Sequence, residues 1–114
     1  MAVQAQFVHC GDAIDYTPGA DVAAGTVVVL GDLVGFTKVD IKANQLGALA
    51  VRGVADFAKA AGTGVTFALG AKVYWDDTNN VAVAADGGGT HKLLGKAVLA
   101  AADADATVRV RLSQ

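Results

Sequence analysis

Glutamate is absent from the sequence, and all eleven acidic residues are aspartate. Aspartate competes with the hydrogen bonds of a helix and favours caps and turns, whereas glutamate is a good helix former. The chain also contains 14 glycines and a single proline. A protein built mainly of helices is therefore disfavoured, and the composition favours short strands joined by many turns.

The sequence has only one cysteine and no long apolar run. Because Cys10 has no partner, a disulfide within the chain is excluded, which fits a reducing compartment. No apolar run approaches the roughly 20 residues of a membrane span, and the first residues lack the basic and apolar segments of a signal peptide. We expect a soluble protein with no membrane partner, which stays inside the cell that makes it or leaves by lysis.

Basic residues are few and scattered. Six lysines and three arginines are spread along the chain, and the formal net charge is −2 with a pI near 5.4. A protein that binds nucleic acid needs a concentrated basic face. We therefore expect no nucleic-acid partner.

Small and β-branched residues supply most of the apolar content. Hydrophobic residues make up 54% of the 114 positions, with 24 alanines and 17 valines but only four phenylalanines. A chain of this length forms one domain and buries a core without disulfides. We predict a single β domain over residues 1–114, in which residues 1–10 can form an extended N-terminal arm.

The clearest local signal is a hairpin in residues 70–84, which include the only tryptophan. Val73 and Trp75 alternate with Lys72 and Tyr74, as in a half-buried strand. The aspartates and asparagines that follow favour turns and tolerate left-handed geometry. We predict two strands joined by a five-residue loop over residues 76–80, with Val73 and Trp75 in the core.

A second alternation closes the chain. In residues 107–112, Val108 and Val110 alternate with Arg109 and Arg111. This pattern predicts a strand with both valines in the core and both arginines on the outer face. The two arginines can meet an acidic partner, although such pairs are more often solvated. Along the whole chain, about eight to ten short strands are predicted, which is typical of a sandwich or barrel.

Two segments leave the secondary structure open. Residues 46–61 fit a helical stripe, but Gly47 and Gly53 also fit strands with a bend, and we favour strands. Residues 92–102 predict a strand whose alanine-rich end can instead form a short helix. We therefore expect an all-β domain with at most one short helix.

Three features carry weak signals of a cofactor or metal site. Gly95 and Lys96 follow a run of glycines, but the spacing and the missing hydroxyl group do not match a phosphate-binding loop. The oxygen-rich residues 76–80 lack the spacing of a calcium loop. The cysteine and the two histidines lack the paired spacing typical of zinc sites. We expect no catalytic residue, cofactor or metal, and hence no enzyme.

The N-terminal segment is a candidate interface. Residues 1–8 carry no charge and alternate in polarity, which gives an apolar face formed by Val3, Ala5 and Phe7. An alternating segment at a chain end can add a strand to a neighbouring sheet. It can equally pair within its own barrel, and the sequence favours neither arrangement.

Short blocks, in the same order along nearly the whole chain, resemble a family of small proteins from tailed phages and prophages. The blocks are DYTP at 15–18, DVAAG at 21–25, GDLVG at 31–35, LGALAV with GV at 46–54, GAKVYW at 70–75, and GKA through VRV at 95–110. This is the capsid decoration, or cement, family, long labelled a domain of unknown function and also predicted phage recombinase. The resemblance implies a compact, jelly-roll-like sandwich or barrel of short antiparallel strands.

The resemblance also implies a role and partners. A cement protein sits on the outside of an icosahedral head and ties major capsid subunits together, and relatives usually act as small homo-oligomers. We therefore expect two partners, the major capsid protein and the chain itself as a homodimer or homotrimer. The expected location is the exterior of the virion capsid, after synthesis in the cytoplasm of the bacterial host.

Two points depart from the family and its labels. A strand-exchange recombinase needs a working nucleotide loop, and this chain is too short and too acidic for that activity. The proline expected near Ala58 is absent, which keeps a helix in residues 46–61 open.

The alternative function is a small ligand-binding or oligomeric β-barrel module without catalytic activity. It needs a pocket, and the alanine and valine core can fill that space instead.

Overall fold

The computed structural model describes residues 4–6, 11–59 and 66–113, and nine strands lie within them. The first sheet contains β1 (Ala13–Tyr16), β2 (Val27–Leu30), β3 (Leu33–Phe36) and β4 (Gly47–Ala50). The second contains β5 (Gly53–Ala58), β6 (Lys72–Asp76), β7 (Val81–Val83), β8 (Lys92–Ala97) and β9 (Thr107–Leu112). The strand orders are β1–β4–β3–β2 and β5–β9–β8–β6–β7. Every paired strand is antiparallel, so the predicted all-β class is confirmed.

The five-stranded sheet curls until its two edge strands meet. Lys59, which directly follows β5, forms a parallel bridge with Ala82 of β7. Strand pairing therefore almost closes the sheet into a small barrel, and the inner face of the sheet becomes the interior of the barrel. The four-stranded sheet packs against this barrel through Val34 and the half-buried Phe36 of β3. The arrangement agrees with the predicted compact sandwich or barrel of short antiparallel strands.

The core lies inside the curled sheet. In β9, Val108, Val110 and Leu112 are buried while the residues between them are exposed, as the alternation predicted. Trp75 and Val73 of β6 are buried as well. The cluster is completed by buried side chains from the other elements: Val34, Phe57, Phe67, Ala82, Leu94, Ala97 and Ala101.

Residues 46–59 form two strands, and the helical interpretation of this segment is wrong. Strand β4 is followed by a short bend and then by β5, as the glycine positions indicated. Gly53, at the start of β5, has a φ of 113°, which side chains rarely adopt. The bend lets the chain leave the four-stranded sheet and enter the barrel. Residues 60–61 lie outside the described residues.

Two sequence predictions need small corrections of their bounds. The loop of the β6–β7 hairpin has four residues rather than five, because Asp76 still pairs with Val81. Strand β8 ends at Ala97 instead of reaching residue 102, and no helix follows it. Beyond the strand, Ala101 exchanges two backbone hydrogen bonds with Phe67, at 2.9 and 3.0 Å.

Only one helical turn occurs in the described residues. It is a 3-10 turn at Gly87–Gly89, in the exposed loop between β7 and β8. Asp86 caps this turn, because its side chain accepts a hydrogen bond from the Gly88 N–H at 3.2 Å. No helix in the described part of the chain has the length and apolar character that crossing a membrane requires.

Candidate interaction surfaces

Strand β2 is an open edge of the four-stranded sheet and consists only of apolar residues. It pairs with β3 on one side, and no described strand pairs with its other side. Val27 and Val29 pack against the core, whereas Leu30 is 41% exposed. An open edge presents N–H and C=O groups that can pair with another chain. Strand β2 can therefore accept a strand from a neighbouring protein.

A groove of about 600 Å³ opens where β2 and β3 meet the barrel. Three aromatic rings line its floor. Phe36 and Phe57 are 5.9 Å apart at an interplanar angle of 86°, and Phe57 and Trp75 are 6.0 Å apart at 63°. Edge-to-face arrangements of this kind are favoured by aromatic pairs. The groove thus has an aromatic base, in which Phe57 and Trp75 are almost fully buried and Phe36 is half-buried.

The rim of this groove is polar, and its buried hydroxyl group already has partners. The Thr37 hydroxyl donates to the carbonyl of Ala23 at 2.8 Å and accepts from the Thr26 N–H at 3.0 Å. These bonds tie the segment before β2 to the end of β3. The buried Thr37 hydroxyl therefore has its hydrogen-bond partners within the protein and stabilises one wall of the groove.

Arg109, one of the two predicted interface arginines, is held in an ion pair within the molecule. It lies directly opposite Asp56 across β9 and β5. Its guanidinium donates to both carboxylate oxygens of Asp56, at 2.9 and 3.3 Å. This side-chain hydrogen bond lowers the pKa of Asp56 and raises the pKa of Arg109. Arg109 therefore presents a neutralised pair on the outer face of the sheet.

Arg111, the other predicted arginine, has a different environment on the same face. It lies opposite Lys96 of β8, which in turn lies opposite Lys72 of β6. All three side chains are exposed. We call Arg111, Lys96 and Lys72 the basic row. Sequence reasoning missed both lysines, although alternation in their strands signals that each points outward.

The tip of the β6–β7 hairpin concentrates oxygen atoms, but they serve the turn. The Asp76 carboxylate accepts from the backbone N–H groups of Thr78 and Asn79, at 3.0 and 3.2 Å, and from the Asn79 side chain at 2.8 Å. The pKa of Asp76 is lowered mainly by the Asn79 side chain, with added hydrogen bonds from both N–H groups and a small contribution from His91. Asp76 thus terminates the strand, as expected of a turn residue.

Of the three candidate metal ligands, only His91 lies within the described residues. His91 lies 3.8 Å from Asp76, and its ring also contacts the carbonyl of Ala85 at 3.1 Å. No group of three or more histidine, cysteine or acidic side chains able to hold a metal occurs within residues 4–6, 11–59 and 66–113. His9 and Cys10 lie outside the described residues.

The predicted N-terminal interface is described only in part. Val3 and Phe7 lie outside the described residues. Ala5 is described, and it is exposed and belongs to no strand. The predicted apolar face of the arm therefore stays a prediction.

Gly95 and Lys96, which weakly resemble part of a phosphate-binding loop, lie within strand β8. They are not in a loop before a helix, which is where a phosphate-binding loop places these residue types.

Comparison with known proteins identifies the family. A family model for phage cement proteins matches residues 8–112, nearly the whole chain. No curated protein and no solved structure matched. The family description, phage cement protein, indicates a capsid decoration protein and implies a location on the virion capsid. The resemblance of the sequence blocks is thereby confirmed, and the chain belongs to the phage cement protein family.

Proposed function

We propose that this protein binds the outside of a phage head and stabilises the contacts between major capsid subunits. The family match over residues 8–112 carries the proposal. The surfaces described above support it, because a cement protein acts by contact rather than by chemistry on a substrate. An open apolar edge strand and an aromatic groove are both features that bind protein segments. The role is structural, and we propose that the protein is not an enzyme.

The exposed apolar side chains also support a contact function. Six large hydrophobic residues are at least two-fifths exposed in the isolated chain: Leu30, Val39, Leu46, Val54, Leu69 and Leu99. Single exposed hydrophobic residues are ordinary in soluble proteins, but contact with capsid subunits or with a second copy would cover them. We propose the major capsid protein and the chain itself, as a dimer or trimer, as the partners.

A sedimentation experiment with phage heads tests this function. Expanded, empty heads that lack the protein are mixed with increasing amounts of it, pelleted, and then heated or exposed to denaturant. We expect saturable binding at a fixed number of copies per capsid subunit and a higher disruption temperature for decorated heads. An unrelated protein of similar size is the control. If the protein stays in the supernatant, or leaves head stability unchanged, the cement function is wrong.

The groove favours a second candidate function, a small ligand-binding module without catalysis. Its volume of about 600 Å³ lies within the range of roughly 300–1,000 Å³ that is typical of small-molecule sites. Native mass spectrometry of the protein purified from expressing cells distinguishes the two functions. A stoichiometric bound small molecule together with absent head binding favours the ligand-binding module. An unliganded mass together with saturable head binding favours the cement protein.

A further inference from the structure

Three cationic side chains lie side by side across three adjacent strands of the barrel. Lys96 on β8 lies directly opposite Arg111 on β9 and, on its other side, directly opposite Lys72 on β6. Residues opposite each other in such pairs have Cβ atoms about 4.5–5.5 Å apart and point to the same face. The basic row is therefore a compact line of positive charge on the outer surface of the sheet.

Like charges placed directly opposite each other destabilise a sheet. Elsewhere in this molecule, cations pair with carboxylates: Lys42, Arg52, Lys92 and Arg109 each pair with an aspartate. None of the ion pairs found among the described residues involves the basic row. The carboxylate on the neighbouring position of the same face, Asp56, is occupied by Arg109.

The distribution of unpaired cations is uneven. Besides the basic row, Lys38 is the only other lysine or arginine among the described residues that is exposed and outside any ion pair. Lys59 differs, because it is buried and donates to the carbonyls of Asp103 and Asp105. Three of these four exposed cations thus fall on a single line of the sheet. They do so in a chain whose formal net charge is −2.

The geometry points to a binding surface for carboxylates: we propose that the basic row docks an acidic segment of the major capsid protein. This inference rests on the proposed cement function and assigns a partner chemistry to one face of the molecule. The planar guanidinium of Arg111 can bind a carboxylate through two parallel hydrogen bonds, and each lysine supplies a point charge. Val54, opposite Arg111 and 56% exposed, adds an apolar contact at the end of the row.

A nucleic acid fits this surface less well than an acidic protein segment. Binding to a duplex relies on many cations spread over a basic face, and each neutralises one phosphate. Here the row has three cations, and the adjacent position on β9 is neutralised by Asp56. The remaining surface carries the excess of aspartates and repels a polyanion. A short run of carboxylates matches the length of the row.

Charge reversal at the centre of the row tests the inference. Lys96→Glu places a carboxylate between Lys72 and Arg111, and Lys42→Glu is the control because it gives the same net charge. The control site is exposed and has only a 3.8 Å ion pair with Asp21. Binding to expanded, empty heads is measured by sedimentation for both variants, and the melting temperature of each is recorded.

We expect Lys96→Glu to weaken head binding by about tenfold or more, since it replaces attraction by repulsion at the contact. Lys42→Glu is expected to stay within about twofold of the unaltered protein. The melting temperature of Lys96→Glu should equal or exceed that of the unaltered protein, because the substitution relieves repulsion in the row. Affinity of the unaltered protein should also fall as salt rises from about 0.05 to 0.3 M.

Several outcomes overturn the inference. If Lys96→Glu and Lys42→Glu bind heads equally, the row is not the contact, although the cement function stands. If the unaltered protein does not bind heads, the cement function itself fails. Should Lys96→Glu not fold, Lys96→Gln takes its place, and binding as tight as that of the unaltered protein refutes the proposal. Saturable binding of a DNA duplex that Lys96→Gln abolishes would assign the row to nucleic acid instead.

Discussion

Trp75 connects the hydrophobic core with the groove at its edge. The side chain is 4% exposed, and its ring contacts Phe57 at a centroid distance of 6.0 Å. Its indole N–H donates to the Asp77 carboxylate at 3.3 Å, at the mouth of the hairpin loop. One residue therefore joins β6 to β5 through packing and to the loop through a hydrogen bond. A tryptophan commonly uses its apolar body and its polar N–H in this way.

Replacement of this residue should unfold the protein at much lower temperature. We predict that Trp75→Ala lowers the free energy of unfolding by about 3–5 kcal/mol, because a large buried ring is lost and a cavity remains. That is a large share of the about 5–15 kcal/mol typical of a domain. Leu69→Ala is the control, because Leu69 is 71% exposed and a surface change is expected to cost less than about 0.5 kcal/mol. Equal denaturant midpoints for the two variants would contradict the prediction.

Asp76 makes the stability of the hairpin tip dependent on pH. The Asn79 side chain, with two backbone N–H groups, lowers the pKa of this carboxyl group in the folded state. The unfolded chain therefore binds more protons in acid than the folded one. The stabilisation is complete above the ordinary aspartate pKa of about 3.9 and is lost as pH falls through the lower folded value.

A comparison of carboxamide variants checks the sign of this effect. We predict that Asp76→Asn destabilises the protein most at neutral pH and progressively less below about pH 4, as the carboxyl group becomes protonated first in the unfolded chain and then, at lower pH, in the folded one. Asp15→Asn is the matched control, since Asp15 is exposed on β1 and its carboxylate accepts no hydrogen bond from the described residues. Denaturant unfolding at several pH values measures both. If the loss of unfolding free energy caused by Asp76→Asn grows in acid, the lowered pKa of Asp76 is refuted as the source of the pH dependence.

At the scale of the elements, the junction of β8 and β9 is unusually close. A Cβ atom placed on Gly95 would lie 1.9 Å from the carbonyl oxygen of Arg111 and 2.8 Å from the amide nitrogen of Ser113. Both contacts are with backbone, which cannot move aside as a side chain can. The absence of a side chain at Gly95 thus allows the two strands to meet, and the Ser113 N–H bonds the Leu94 carbonyl at 3.0 Å.

This close approach predicts a strong effect of a single methyl group. We expect Gly95→Ala to destabilise the protein by about 1–3 kcal/mol or more, because β8 and β9 must separate. Gly19→Ala is the control, as nothing lies within 4 Å of its Cβ position. It should be neutral or stabilising by less than about 1 kcal/mol, through reduced freedom of the unfolded chain. The melting temperatures of both variants test this prediction. Equal melting temperatures would show that β8 and β9 can accommodate the added methyl group.

At the scale of the whole molecule, the barrel and the four-stranded sheet leave different surfaces available. The sheet offers the open edge of β2, and the barrel offers its basic outer face. An ion pair of 2.8 Å between Lys92 and Asp32 links β8 of the barrel to the β2–β3 turn. Under the proposed function the protein needs at least two contacts, one for each component that it would join. These two surfaces can supply them.

Truncation of the N-terminus tests whether the arm is one of these contacts. We predict that deletion of residues 1–6 leaves the melting temperature nearly unchanged but abolishes self-association or attachment to heads, because an uncharged alternating segment can add a strand to an open edge. Light scattering coupled to gel filtration measures the oligomeric state, and sedimentation measures head binding. A truncated protein that unfolds or precipitates would show instead that the arm is a strand of its own barrel.

Patterns within a short stretch of sequence determined most of the fold. Alternation in residues 107–112 predicted strand β9 and the direction of each side chain, because neighbouring residues of a strand point to opposite faces. The hairpin around Trp75 and the bend near Gly53 were predicted from turn chemistry in the same way. These features depend on interactions between residues close in the chain, so the sequence alone contains them.

Only the tertiary structure decided which distant residues share a surface. Lys72, Lys96 and Arg111 come from three separate segments, and nothing in any one segment shows that they align. Their alignment depends on the register of two strand pairs, and a shift of one residue would turn a side chain to the opposite face. The groove likewise requires Phe36 of one sheet to contact Phe57 of the other. Register and packing arise from the whole core at once, and this is why sequence reasoning found Arg111 but not the row to which it belongs.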